Sequence, residues 1–360
     1  MRIARISIRN IRCIASSSFD PSAGLNLLVG ANGSGKTSLL EGIFFLGHGR
    51  SFRRVEFDKL VRRGEAVLSV FGEVVEGEWR SRIGIEKRRT SGRIRVDGMD
   101  AQSNKILAER LAVGAYYPGR EALLWGPGKD RRQLMDWLLF HVEPDYGPLM
   151  RRFTEGLRQR NALLRSGRDR RTIQSWSEGL AAEGERIHRL RETAMDDFMP
   201  WIARKLSQAL ERPITLEYRR GWRATEGLAS VWQAGLAADE ARGWTGSGGP
   251  HRADIMLTTE GAACRDMLSR GEGKLASLEL FLGAITFLRQ RTGRRAVVLL
   301  DDLGSEIDSH NLQVLSATLR DLGHQIFISM VAPPGAGFGS GGFEDYRMFH
   351  VEQGGVSEVL

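Results

Sequence analysis

Residues 25–46 read LNLLVGANGSGKTSLLEGIFFL. An apolar run, Leu25 to Val29, ends at Gly30. The positions Gly30-Ala31-Asn32-Gly33-Ser34-Gly35-Lys36-Thr37 then fill the pattern G-x-x-x-x-G-K-[ST]. From Lys36 to Leu46 the spacing is helical, with Leu39, Leu40, Ile43 and Phe44 on one side. A strand, a glycine loop and a helix in that order make the motif a phosphate-binding prediction. Loop and helix-start N–H groups point at anions, and the helix dipole favours them. Glycines let the backbone come close and take positive φ. Lys36 supplies charge for the β- and γ-phosphates, and the Thr37 hydroxyl can ligate Mg²⁺. The expected nucleotide-binding set is Gly30 through Ser38.

The chain has 360 residues, room for two domains, and is 41% hydrophobic. No apolar run approaches the ~20 residues of a membrane span. The start, MRIARISIRNIRCI, alternates instead of showing a signal-peptide core, so a cytoplasmic protein is expected. Cys13 and Cys264 lie far apart without CxxC spacing, which suits a reducing compartment and buried small hydrophobes. A net charge of +8 favours an anionic partner.

Outward from the loop, residues 2–8 read as a strand, followed by a loop holding Asn10 and Arg12. Val67–Val75, Arg80–Ile85 and Arg93–Val96 alternate as antiparallel strands, and Val113–Tyr117 is another. Lys129 to about Leu210 is helical in pattern and rich in Arg. Ile214–Tyr218 reads as a strand and Leu228–Glu240 as a helix. An α/β pattern then resumes: strand 254–258, an apolar helix 274–289, strand 296–301, helix 311–322, strand 325–330, a Gly-rich loop over 332–343 and a strand at 347–351. The expected division is 1–125, 126–245 and 246–360: a nucleotide-binding lobe split in sequence by an inserted helical lobe.

Two further stretches bear on phosphate chemistry. Ala296 to Leu300 is an apolar run ending in Asp301 and Asp302, the Walker B pattern. Asp301 would hold Mg²⁺, and Asp302 would orient or deprotonate the attacking water. Ser305, Glu306 and Asp308 follow directly. Upstream, Ser269-Arg270-Gly271-Glu272-Gly273-Lys274 opens a helix. It reads either as a second anion site or as a plain N-cap. Its position one helix before the acidic strand resembles the signature motif of ABC-type ATPases. That resemblance implies that Ser269, with Arg270 and Gly271, meets the γ-phosphate held by a second copy in a head-to-tail dimer.

The match is closer still to one family. The runs NLLVGANGSGKTSLLEGIFFLGHGRSFRR, RRQLMDWLLFHVEP, GPHRADI, LSRGEGKLASLELFL and LLDDLGSEID resemble the RecF family of bacterial recombinational repair ATPases, in order and over nearly the whole chain. The resemblance implies an α/β ABC-type P-loop ATPase head, a mixed sheet with flanking helices, carrying an inserted mainly helical lobe. It implies ATP and Mg²⁺ as cofactors, an ATP-driven dimer that binds gapped or single-stranded DNA, and slow ATP hydrolysis. It also implies action with RecO and RecR to place RecA, in support of repair, replication and the SOS response. Four features depart from the superfamily pattern, one being the strand-end acid, Asp302 where Glu is usual. Glu272 stands where Gln is common and is expected to point away from nucleotide. Tyr117–Glu121 lacks a Q-loop glutamine, and no His follows the strand at 326–330. These departures suit slow turnover. They set the chain apart from a transporter ATPase, but leave open a scaffold that barely hydrolyses ATP.

Arg151, Arg152, Arg158, Arg160, Arg165, Arg168, Arg170 and Arg171 crowd the inserted lobe, and Arg50, Arg53, Arg54, Arg62 and Arg63 form a second basic group. Such arginines either contact DNA phosphates, giving salt-sensitive binding without sequence readout, or form a solvated helix face. The interspersed Glu155 and Asp169 support the latter, but DNA contact by at least part of the inserted-lobe cluster is the expectation.

Overall fold

Isoleucines buried at Ile3, Ile6, Ile8 and Ile11 alternate with the exposed Arg5 and Arg9, so the first segment is a strand with one wet face. In this computed structural model, which describes residues 1–167, 169–302, 319–320, 322–333 and 345–359, β1 spans Arg2–Ile11. It takes in Asn10, expected in a loop, and the chain turns at Arg12 with φ 51 into β2 (Ile14–Phe19). The serines of β2 hid it from the hydrophobic pattern.

The next elements in order are β3 (Leu25–Val29), α1 (Lys36–His48), α2 (Phe57–Leu60), β4 (Leu68–Glu76), β5 (Trp79–Lys87), β6 (Gly92–Val96), β7 (Met99–Asp100), α3 (Lys105–Arg110) and β8 (Val113–Tyr116). Then follow α4 (Ala122–Trp125), α5 (Gly128–Val142), α6 (Tyr146–Arg165), α7 (Arg170–Leu210), β9 (Thr215–Arg219), α8 (Leu228–Ala234), α9 (Leu236–Arg242), β10 (Asp254–Thr259), β11 (Ala262–Ala263), α10 (Cys264–Met267) and α11 (Arg270–Thr292). The described chain closes with β12 (Val297–Leu300), β13 (Gln325–Met330), β14 (Tyr346–Glu352) and β15 (Gly355–Glu358). The helix expected over 311–322, the loop over 332–343, and Arg168, Ser305, Glu306 and Asp308 lie wholly or largely outside the described residues.

The chain forms two compact units, Met1–Gly119 with Thr292–Leu360, and Arg120–Arg291. The boundaries were expected at 125 and 245. The second falls much later because β10 pairs antiparallel with β9, and Gly283 of α11 lies against Ile202 of α7. The single helix expected over 228–240 is two, α8 and α9. A side chain at Gly235 would collide with Ser247, and the chain turns there.

In the first unit, an antiparallel sheet runs β2–β1–β4–β5–β6–β7, and a second sheet runs β15–β14–β3–β13–β12–β8. In the second sheet β14, β3, β13, β12 and β8 are parallel. Parallel strands are covered on both faces and read as continuous apolar runs; β3, β12, β13 and β8 are buried throughout. Helix α1 touches both sheets. It is therefore buried nearly all round, including Lys36, Ser38 and Glu41, rather than on the single face its spacing implied. At Gly42 the helix meets Ile8 so closely that a Cβ would lie 2.5 Å from that side chain.

In the second unit, α7 runs for 41 residues. It buries Ile173, Leu180, Ile187, Ala194, Phe198, Ile202 and Leu206 on one face, the stripe expected of an amphipathic helix. No helix among the described residues is long and apolar enough to cross a membrane.

Candidate nucleotide site

The carboxyl ends of parallel strands share one edge of a sheet, where open α/β folds bind ligands. Three of those ends build this site. After β3 the loop passes Gly33 at φ 81 and Gly35 at φ 112, conformations an L side chain avoids. A Cβ on Gly35 would also lie 3.0 Å from Gly354 and 3.1 Å from the Cys13 thiol. Helix α1 starts without a side-chain cap, so the amides of its first turn are left for a ligand. The Lys36 ammonium lies inside the loop, donating to the Gly30 carbonyl at 2.6 Å and the Ala31 carbonyl at 2.9 Å. An ammonium has three hydrogens, so one remains for a ligand. Burial lowers Lys36 below the ordinary lysine range, opposed by the nearby Asp302 and Asp301.

Asp301 follows β12 and is 4% exposed. Its Oδ1 accepts the Thr37 hydroxyl at 2.9 Å and the Ser329 hydroxyl at 2.7 Å, and its Oδ2 lies 3.8 Å from an Arg53 nitrogen. Burial raises its carboxyl above the usual range, while Ser329, Thr37 and Arg53 oppose that shift. Asp302, next in the chain, has φ 57, a strained left-handed conformation for a non-glycine residue. The donor set fits Mg²⁺, which takes hard oxygens and commonly binds one or two protein ligands together with substrate phosphates. Thr37 and Asp301 would hold it.

Sequence reasoning thus named Lys36, Thr37, Asp301 and Asp302, and the fold brings them together. It missed Ser329 and gave Arg53 to a basic surface group, whereas Arg53 faces Asp301. Behind the loop, Glu41 of α1 is fully buried and holds Arg12 and Ser51. It thereby ties the β1–β2 turn and the segment after α1 to the same helix.

At the start of α11, Ser269 and Glu272 cap each other. The Ser269 amide donates to Glu272 Oε2 at 2.8 Å, and the Glu272 amide donates to Ser269 Oγ at 3.3 Å. This is a capping box, so the N-cap reading holds as geometry. Glu272 also pairs with Arg212 at 3.2 Å. Hydrogen bonding from Ser269 holds its carboxyl below the usual range. Ser269, Arg270 and Gly271 are exposed.

With this geometry in hand, the likeness to known proteins is specific. The sequence matches the RecF/RecN/SMC N terminal domain over residues 2–336. The DNA replication and repair protein RecF of Pseudomonas aeruginosa (strain LESB58) is 36% identical over 363 residues, which cover 100% of this chain and 98% of that protein. Its namesake in Shewanella frigidimarina is 34% identical over 361 residues, covering 100% of both. The chain belongs to the RecF family. Its fold matches a solved RecF–ATP structure, described as a recombination mediator protein in the RecFOR pathway, with TM-score 0.89 and 24% identity, covering 99% of this chain and 97% of that one. It also matches an Smc head bound to the C-winged helix domain of ScpA, with TM-score 0.59 and 13% identity over 100% of this chain and 97% of that one. The fold is thus the ABC-type, SMC-like head with helices inserted, and the transporter reading is set aside.

Two RecF-family motifs meet in the second unit. Arg131, from RRQLMDW, binds Asp254, from GPHRADI, through two nitrogens at 2.8 and 2.9 Å. Arg132 donates to the Ala253 carbonyl at 2.6 Å. Arg191 of α7, 1% exposed, bonds Asp136, Tyr146 and the Pro250 carbonyl. These motifs act as structural locks.

The arginine cluster of the inserted lobe separates into kinds. Arg160 is a correction: it is fully buried, paired with Asp239 at 3.1 Å, bonded to Ser177 and stacked on Trp232, so it offers nothing to DNA. Its place on the Phe153–Leu164 stripe of α6 was the available signal. Arg152, Arg158 and Arg170 are exposed but paired with Glu183, Glu155 and Glu240. Arg165 is exposed and reaches the Gly243 carbonyl at 3.4 Å. Arg151 and Arg171 are exposed, with no ion pair among the described residues.

Proposed function

We propose that this chain is an ATP-dependent DNA-binding protein of recombinational repair and replication, and a weak DNA-dependent ATPase. Its ATP-bound homodimer grips gapped or single-stranded DNA without sequence readout. The observation that carries the reading is the meeting of Lys36 and Thr37 with Asp301 and Asp302 at one sheet edge. The names of the relatives, DNA replication and repair proteins, support its cellular side.

In this reading, ATP with Mg²⁺ joins two copies, and cleavage of its phosphoanhydride resets them. The amides from Gly33 to Ser38 and the Lys36 ammonium hold the phosphates. Thr37 and Asp301 hold the cation, and Asp302 orients the attacking water and takes its proton. Ser269, Arg270 and Gly271 of the partner copy close the site over the γ-phosphate. The unit built on the two sheets serves as the ATPase lobe, and the inserted unit carries the DNA-facing arginines: Arg151, Arg152, Arg158, Arg165, Arg170, Arg171 and, outside the described residues, Arg168. The protein works in the cytoplasm with RecO and RecR to load RecA, and supports SOS induction. Turnover is slow because Asp302 is shorter than the usual glutamate, and the Q-loop Gln and switch His are missing from the sequence.

Sedimentation velocity tests the composite site. The wild-type protein is expected to dimerise with ATP and not with ADP. Lys36→Arg, which keeps the charge but replaces a compact ammonium with a planar fork, is expected to stay monomeric. A wild-type monomer in saturating ATP contradicts the reading.

A further inference from the structure

Ser329 lies at the end of β13 and is 1% exposed. Its neighbours follow from strand order. β13 runs between β3 and β12, and the register pairs Leu300 with Ile328 and Leu28 with Ser329. One step beyond Leu300, Asp301 therefore comes alongside Ser329.

The hydroxyl is used in both directions. It donates to Asp301 Oδ1 at 2.7 Å and accepts the Asp302 N–H at 2.8 Å. A backbone amide can only donate, and a hydroxyl has one hydrogen. The direction is therefore fixed, with the hydroxyl hydrogen on the carboxylate. Thr37 donates to the same oxygen, leaving Oδ2 toward Arg53. The amide that Ser329 holds belongs to the residue in the left-handed conformation, Asp302 at φ 57. Such a conformation persists only where its surroundings fix it.

We propose that Ser329 is a positioning residue for the nucleotide reaction. One hydroxyl sets both the carboxylate that holds the cation and the backbone turn that aims the second acid. The inference rests on the nucleotide reading above and names the group that keeps the two acids in register. A purely structural role, satisfying one buried amide, is the competing account.

The test uses the full chain and its Ser329→Ala, Ser329→Cys and Ser329→Thr variants. Binding of a fluorescent ATP analogue is titrated with and without Mg²⁺, and kcat is followed against Mg²⁺ concentration. Ser329→Ala is expected to keep Mg²⁺-free nucleotide affinity within about twofold, because the loop and Lys36 are untouched. It is expected to raise the Mg²⁺ midpoint and to lower kcat, each by about 10–100-fold, as removal of an outer-shell partner does. Threonine restores most of the loss. Cysteine, close in size and a weak donor, shows the defect even where alanine fails to fold. Lowered thermal stability with an unchanged Mg²⁺ midpoint and kcat in the alanine and cysteine variants overturns the proposal. A wild-type protein that binds no nucleotide overturns the site reading and this inference together.

Discussion

Lys36, Asp301 and Glu272 show how single groups are adapted here. The Lys36 charge is held by two carbonyls of its own loop, so it is aimed before any ligand arrives. Asp301 is buried enough to raise its carboxyl, and three donors keep it usable as an anion. A group that titrates above the usual range is neutralised sooner as the pH falls. Mg²⁺-dependent nucleotide affinity is therefore expected to decline at a higher pH than an ordinary aspartate would set. In Asp301→Asn that dependence should vanish along with the Mg²⁺ requirement, as isothermal titration at stepped pH would record. Glu272 has both a helix cap and a charge to offer. Glu272→Gln keeps the cap, since Gln also serves at that position. It is expected to tighten ATP-dependent self-association several-fold with little change in melting temperature. Glu272→Ala is expected to lose about 1 kcal/mol of stability with the cap. Urea unfolding beside sedimentation separates the two effects; equal self-association for Gln and wild type would remove Glu272 from the phosphate's neighbourhood. The contiguous loop Gly30–Thr37 was legible because one stretch contains all of its chemistry. Ser329 was not, because its partners lie 27 and 28 residues away and meet it only through strand order.

At the scale of elements, α6 carries two kinds of arginine, which substitution can tell apart. Arg160 and Asp239 are both fully buried. Arg160→Ala strands a buried carboxylate and is expected to cost about 3–5 kcal/mol. Arg151→Ala touches no ion pair and is expected to leave stability unchanged while lowering the log–log salt slope of DNA binding by about 0.9. Chemical denaturation and binding at several salt concentrations check both, and an unchanged slope takes Arg151 off the DNA path. The GPHRADI segment makes a pH prediction. His251 Nε2 bonds the Thr245 carbonyl, its Nδ1 is buried without a hydrogen-bond partner, and burial lowers its pKa from 6.5 to about 4. The unfolded chain takes the proton first, so stability is intact above about pH 6.5 and is lost as the pH falls toward 4. Between pH 7.5 and 5 this amounts to ~2 kcal/mol. His251→Gln should lack that slope in urea melts; equal slopes would show His251 already charged when folded. Alternation and helical stripes made most elements readable. β2 was hidden by its serines, and the need for glycine at 235 was invisible because Ser247, packed against it, lies in the loop after α9.

At the scale of the molecule, the chain leaves its first unit at Gly119 and returns at Thr292. The inserted unit keeps β9–β11, Ser269 and most of α11. The split lobe was legible because strand–helix alternation stops and resumes. The return point was not, because it is the packing of α11 against α7 and α4 that assigns it to the inserted unit. In the proposed function, one unit binds ATP, the other presents the signature segment to a second copy, and DNA is held while the copies are joined. The most direct test is fluorescence anisotropy of a gapped DNA with ATP, ADP or no nucleotide, at two salt concentrations. Tight binding with ATP alone, weakening steeply as salt rises, is the predicted result. Binding that is indifferent to nucleotide, or absent in all three conditions, would contradict it.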